Sequence, residues 1–146
     1  MRDPASDAPI GVHRIGLAQT NGKITKIDRM ALGQMGVVKI WPANGRQLVV
    51  GEGIETTLAA ATRVSYRGAP LTPAWSAVAK GGLGQLPVLP DIAQLILLVD
   101  HDENGEGQRA AEQCRRVWKS AGRIAVPLIP KQKGWDFNDV VLARKA

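Results

Sequence analysis

The chain has 146 residues and a mass of 15.6 kDa, with 45% hydrophobic and 22% charged residues. That is one globular domain, or one with a short extension, long enough to bury about 70% of its unfolded surface. One cysteine and two histidines exclude a disulfide scaffold and a Cys-rich zinc site, and no apolar run approaches the roughly 20 residues of a membrane span. Nineteen Lys and Arg against thirteen Asp and Glu give +6 and an isoelectric point near 9.9, a balance that favours polyanionic partners.

Residues 1–9, with Pro, Ser and Asp, read as a loose tail without the apolar stretch of a secretory signal, so the cytoplasm is the expected compartment. Residues 1–46 read as a small β-rich extension. Strands are predicted over Val12–Ala18 and Lys23–Asp28, joined at Thr20-Asn21-Gly22, because Asn-Gly supplies the two positive-φ positions of a tight hairpin. A third strand is expected over Val37–Trp41, stopped by Pro42. From Gln47 the pattern changes to alternating strands and helices, and residues 47–146 are expected to form the main domain. Leu48–Val50 is a buried strand that runs into Gly51-Glu52-Gly53. Ile54, Leu58, Ala61, Thr62 and Ser65 recur at helical spacing, which predicts a helix over 55–66 ended by Gly68 and Pro70.

Trp75–Ala79 is a further strand, entering the glycine-rich Lys80–Gly84. Leu95–Val99 is apolar throughout, as a strand covered on both faces must be, and Asp100 follows it. A helix over 107–120 carries an apolar face of Ala110, Ala111, Cys114, Val117, Trp118 and Ala121, capped by Gly122. Ile124–Leu128 is the last strand, and Asp136 or Asn138 starts a short final helix. The alternation argues for a layered α/β fold around a largely parallel sheet.

Eight of the thirteen acids fall in three short segments: Glu52 and Glu55; Asp100, Asp102, Glu103 and Glu106; Asp136 and Asp139. In parallel α/β sheets, ligands bind beyond the carboxyl ends of the strands. Glu52 follows one strand directly, Asp100 and Asp102 follow another, and Asp136 and Asp139 follow a third. If those strands are neighbours, the carboxylates share one rim. Two such charges about 4 Å apart repel by about 4 kcal/mol at an effective dielectric near 20. A divalent cation relieves that cost, and an all-oxygen ligand set suits Mg²⁺, or Mn²⁺ in its place. In Asp100-His101-Asp102 the two carboxylates point to one side of an extended chain, with His101 on the other. Glu52, on a separate strand, suits a general acid or base, or a second metal contact.

These residues carry a family resemblance. Val50–Leu58 with its Glu-Gly-Ile-Glu-Thr core, Leu98–Ala111 with its Asp-x-Asp-x-x-Gly-x-Gly run, and Trp135–Asp139 with its Asp-Phe-Asn-Asp resemble, in order, the motifs of the Toprim domain of phage- and plasmid-type DNA primases and primase-helicases. The likeness covers about 47–142, and residues 11–41 resemble the β-rich stretch preceding that module. It implies a Rossmann-like Toprim fold of about four mainly parallel strands with helices on both faces. It also implies Glu52, Asp100 and Asp102 as catalytic residues, Mg²⁺ (or Mn²⁺) held by Glu52, Asp100, Asp102 and Asp136, and Glu55 and Asp139 as accessory acids. The function implied is nucleotidyl transfer in RNA primer synthesis, with single-stranded DNA and nucleoside triphosphates as substrates and helicase or other primase domains as partners. The alternatives are a Toprim-type nuclease or a non-catalytic nucleic-acid-binding module.

The bland readings stand beside these. Asp136 and Asn138 can serve simply as helix caps, Glu55 is favoured in a first helical turn by the dipole alone, and Glu103 and Glu106 suit a solvated loop. Lys80, Arg109, Lys131 and Lys133 are candidate phosphate-backbone contacts near the rim. Trp135 alone among the tryptophans is a candidate for base stacking. An EF-hand reading fails, because Ala111 stands where the twelfth-position acid is required. There is no Walker A sequence and no Cys cluster for the zinc module that accompanies such primases, so an excised or stand-alone module is expected. The only tyrosine, Tyr66, lies away from the acids, which counts against strand passage.

Overall fold

The structure is a computed structural model that describes residues 1–78 and 81–144. Asn21 and Gly22 adopt φ of 52° and 77°, so the predicted Asn-Gly turn closes a hairpin of β1 (Gly11–Thr20) and β2 (Lys23–Gly33), paired from Gly11↔Gly33 to Thr20↔Lys23 with an irregularity at Gly16/Leu17. Both strands run longer than the sequence patterning indicates. β2 is exposed along all eleven residues. The first residues are tied by backbone hydrogen bonds between Arg2 and Val37 and from Ile10 to Met1.

The main sheet has five strands in the order β3-β7-β4-β8-β9. They are β3 (Val38–Lys39), β4 (Gln47–Gly51), β7 (Ala74–Ser76), β8 (Gln94–Leu98) and β9 (Ile124–Leu128). A small ladder of β5 (Ser65–Tyr66) and β6 (Ala69–Pro70) stands apart. β7, β4, β8 and β9 are mutually parallel, and β3, from the N-terminal segment, adds an antiparallel edge on β7. Central β4 and β8 are apolar after their first residue, a glutamine in each, because helices cover both of their faces. Leu48, Val50, Leu95, Leu97 and Val99 pack on α2 (Glu106–Ser120) through Ala111, Cys114 and Trp118. Val49, Ile96 and Leu98 face the other way, with Ala60 and Ala61 of α1 (Ile54–Arg63) and Phe137 of α3 (Phe137–Ala143). Among the described residues, no helix is long and apolar enough to cross a membrane.

Two helix faces differ from the expectation. α1 buries Thr56, Thr57, Ala60 and Ala61, while Leu58 is 39% exposed. Small side chains let this helix lie close on the sheet, and the threonine hydroxyls find acceptors, Thr57 on Gly53 O and Thr56 on Asp136. On α2, Val117 is 46% exposed and Gly107 is buried in its place.

Candidate functional site

The strand order reverses between β4 and β8. From β4 the chain crosses through α1 to β7, and from β8 it crosses through α2 to β9, on the opposite face. Such a switch point leaves a crevice at the carboxyl ends of the two strands. In register, Gly51 pairs with Leu98, so Glu52 and Asp100 emerge beside each other at that crevice. Ser76 Oγ, at the end of β7, donates to Glu52 O at 3.0 Å and fixes the turn.

Glu52 and Asp102 converge at Gly107, in the first turn of α2. A Cβ on Gly107 would stand 2.7 Å from Glu52 Oε1 and 3.2 Å from Asp102 Oδ2. Glycine is therefore what allows two carboxylates from different strands to meet over the helix start. The Gly107 N–H donates to Asp102 Oδ2 at 3.0 Å, one of the helix-end donors that need an outside acceptor.

Asp136 arrives from a third direction. His101 holds the loop after β9: its N–H donates to Trp135 O, its carbonyl accepts from Gly134 N–H, and Nδ1 lies 2.9 Å from Pro130 O. The carbonyl can only accept, so Nδ1 carries the proton. Those three bonds deliver Asp136 to the rim. Asp136 Oδ1 accepts from Asp139 N–H at 2.9 Å, Asp139 Oδ2 accepts from Asp136 N–H at 3.0 Å, and Asp136 Oδ2 accepts from Thr56 Oγ1 at 2.9 Å. Asp136 is thus the N-cap of α3 in a reciprocal capping box, and it also belongs to the acidic rim.

Asp100 stands at the centre of the cluster. Its Oδ1 is buried and has no hydrogen-bond partner among the described residues. Burial, then the charges of Asp136, Asp102 and Asp139, push its pKa up to about 6. Acids thus crowd around a carboxylate oxygen that no described residue satisfies, and this is the chemistry a hard dication fits. Among the described residues, no three His, Cys, Asp or Glu side chains are grouped closely enough to hold a metal between them. One or two carboxylates completed by water and phosphate oxygens is the usual Mg²⁺ arrangement, and Asp100 with Asp102 or Glu52 supplies that number.

Asp100 and Asp136 line two concavities. One, of about 430 Å³, is acidic, with Asp102, Glu103 and Asp139 in its wall and Trp135 beside them. The other, of about 400 Å³, has Glu52, Asp100 and Asp136 on one side and His13, Lys26 and Arg29 of the hairpin on the other. Glu55 faces the hairpin: its Oε1 lies 2.9 Å from Lys26 Nζ and 3.5 Å from an Arg29 guanidinium nitrogen. Burial alone would raise its pKa, but the bond from Lys26 and the nearby Arg29 outweigh that and hold it below the usual carboxylate value.

Of the candidate cations, Arg109 is turned along α2, donating to Asn104 O at 2.7 Å. Lys131 and Lys133 are exposed in the loop after β9 and line neither concavity. Lys80 lies outside the described residues. Among the described residues, the cations that do face the acids, Lys26 and Arg29, carry no motif. Only the length of the hairpin and the spacing of its basic residues could have singled them out.

No curated protein and no solved structure matches the chain. The Toprim domain family matches residues 47–146, which span every parallel strand, all three helices and each acid of the rim. The chain belongs to the Toprim family, whose modules bind divalent metal through acidic side chains and act on nucleic acid.

Proposed function

We propose that the chain is a Mg²⁺-dependent nucleotidyl-transfer module of DNA primase type. It would build RNA primers from nucleoside triphosphates on single-stranded DNA, in the cytoplasm, alongside helicase or other primase domains. The observation that carries this reading is the convergence of Glu52, Asp100 and Asp102 at the β4/β8 switch point, around an Asp100 oxygen with no hydrogen-bond partner among the described residues. Asp100 and Asp102 would hold Mg²⁺, with Asp136 as a further acid. Bound there, the ion would polarise a phosphate group and stabilise charge on the leaving oxygen.

Glu52 reaches the rim from the neighbouring strand and is suited to take the proton of an attacking hydroxyl. Gly107 N–H holds Asp102 in orientation, and His101 keeps Asp136 in reach through the loop it binds. Tyr66 sits beyond the C-terminal end of α1, a helix that starts at the acid rim and runs away from it for ten residues, about 15 Å. Tyr66 is thus out of reach as a nucleophile for strand passage, which supports the primase reading over a topoisomerase.

The test is thermal melting with increasing Mg²⁺ or Mn²⁺, comparing the parent with Asp100→Asn and Asp102→Asn. Stabilisation in the parent alone is the expected result. Incubation with single-stranded DNA and nucleoside triphosphates then reads primer synthesis directly. Degradation of the DNA with no primer formed would assign the site to a nuclease instead.

A further inference from the structure

The hairpin lies outside the residues that the Toprim family matches, yet it forms one wall of the cleft over the acids. It is not pressed there by an apolar core, since every residue of β2 is exposed. What joins it to the first turn of α1 is the pair of contacts from Lys26 and Arg29 to a single oxygen, Glu55 Oε1. Two cations on one carboxylate leave a positive charge uncompensated. Opposite, across about 400 Å³ of cleft, stand Asp136 and Asp100, whose buried Oδ1 has no hydrogen-bond partner among the described residues. A ligand that satisfies both walls must carry anionic oxygens toward the hairpin and share a cation with the acids. Metal-bound phosphate has that character.

We propose that the hairpin is a phosphate-binding wall of the cleft, in which Lys26 and Arg29 are the phosphate ligands and Glu55 is the internal anion that holds them in position until a phosphate replaces it. This rests on reading the acid rim as a metal centre that works on phosphates. The exchange is feasible because both ion pairs are partly exposed, with side chains 40–53% accessible. Such pairs contribute little to stability, and a phosphate with more charge and more acceptor oxygens competes well for them. Arg29 brings a planar fork of donors of which Glu55 uses one oxygen, so the guanidinium can accept a phosphate bidentately.

The phosphates can belong to a nucleoside triphosphate or to a nucleic-acid backbone, and two probes separate these: ATP with Mg²⁺, and a single-stranded oligothymidylate. Binding of each is measured for the parent, for the double variant Lys26→Ala/Arg29→Ala, and for Glu55→Gln. The double variant should weaken one probe or both by tenfold or more. If the oligonucleotide is affected, the slope of log K against log salt should become shallower by about 1.4, for two cations at about 0.7 each. Loss with ATP alone assigns the wall to the nucleotide, and loss with the oligonucleotide alone assigns it to the backbone.

Glu55→Gln also loosens the tie to α1 but keeps both cations and removes their competitor, so it should bind at least as tightly as the parent. Unchanged binding of both probes in the double variant overturns the proposal. So does a loss in Glu55→Gln equal to that in the double variant, since the cations would then serve only to dock the hairpin. Mg²⁺-dependent melting, read without either probe, reports the acid rim alone. It should be the same in all three proteins, and its absence in the parent would count against the metal reading rather than against the wall.

Discussion

Replacing Asp100 by Asn should stabilise the metal-free protein at neutral pH while abolishing its response to Mg²⁺. The Asp100 carboxyl titrates near 3.8 when unfolded and about 6 when folded, raised by burial and by Asp136, Asp102 and Asp139. A raised carboxyl pKa means that the folded chain holds the proton more tightly. Its contribution favours the fold below pH 4, is lost as pH rises from about 4 to 6, and leaves a penalty above that. At 1.36 kcal/mol per pH unit the unscreened penalty is about 3 kcal/mol. Asp100 is only half-buried, so solvent screening brings it to about 1–2 kcal/mol. In a chain this long that is roughly 3–6 °C in Tm. The assay is urea or thermal unfolding in EDTA from pH 4 to 8, read as the difference between Asp100→Asn and the parent so that other titrating groups cancel. The difference should grow between pH 4 and 6.5 and then level off. Mg²⁺ should raise the parent's Tm and leave the variant's unchanged. A difference that is flat across this range would show that Asp100 ionises without penalty, and the charge-starved rim would have to be abandoned.

Gly107→Ala sets a methyl 2.7 Å from Glu52 Oε1 and 3.2 Å from Asp102 Oδ2. The gain in helix propensity, about 1 kcal/mol, roughly offsets the crowding. Melting should therefore move little while the Mg²⁺ midpoint rises at least tenfold, which calorimetry would measure. Asp136→Ala removes a cap and the acceptor of Thr56 Oγ1 and should cost about 2 kcal/mol in urea unfolding. Asp136→Ser restores the cap, so any loss of Mg²⁺ response that persists in it belongs to the carboxylate. Cys114 is buried with its pKa pushed up to about 12, so iodoacetamide should modify it only at the rate of global unfolding.

The parts of this structure that are legible in the sequence depend on neighbours in the chain. The Asn21-Gly22 turn is one, since two positive-φ positions in succession admit few residues. The apolar runs of β4 and β8 are another, since a strand covered on both faces has no polar alternation. Glu52 and Asp100 are visible because they follow the ends of β4 and β8 within one or two residues. What stays hidden depends on distant partners. Thr56 looks like a surface residue until Asp136, eighty positions later, accepts its hydroxyl. Leu58 looks like core until the small residues beside it take the sheet contact. Lys26 and Arg29 sit in a strand with no motif, and only the way the hairpin lies against α1 turns them toward Glu52 and Asp100.

The fold supplies some relief to its clustered acids, but not enough. α1 begins two residues after Glu52 and α2 begins four after Asp102, so both helices start at the rim and offer partial positive charge there. A helix dipole stabilises a nearby carboxylate by about 0.3–1 kcal/mol, whereas one close carboxylate pair costs about 4 kcal/mol at the dielectric of a protein surface. Two helix starts therefore cannot balance Asp100 against Asp136 and Asp102 together, and that repulsion adds to burial in displacing the Asp100 pKa upward. Gly53 and Gly105 precede α1 and α2 and bring no capping side chain of their own, so at α2 it is Asp102 that takes the Gly107 N–H, while α3 is closed by Asp136 itself. Glycine at both positions leaves the backbone donors to the acids of the crevice rather than to a cap. The rim is accordingly arranged to tolerate its acids rather than to neutralise them, and the charge the backbone leaves unbalanced is what a divalent cation would offset.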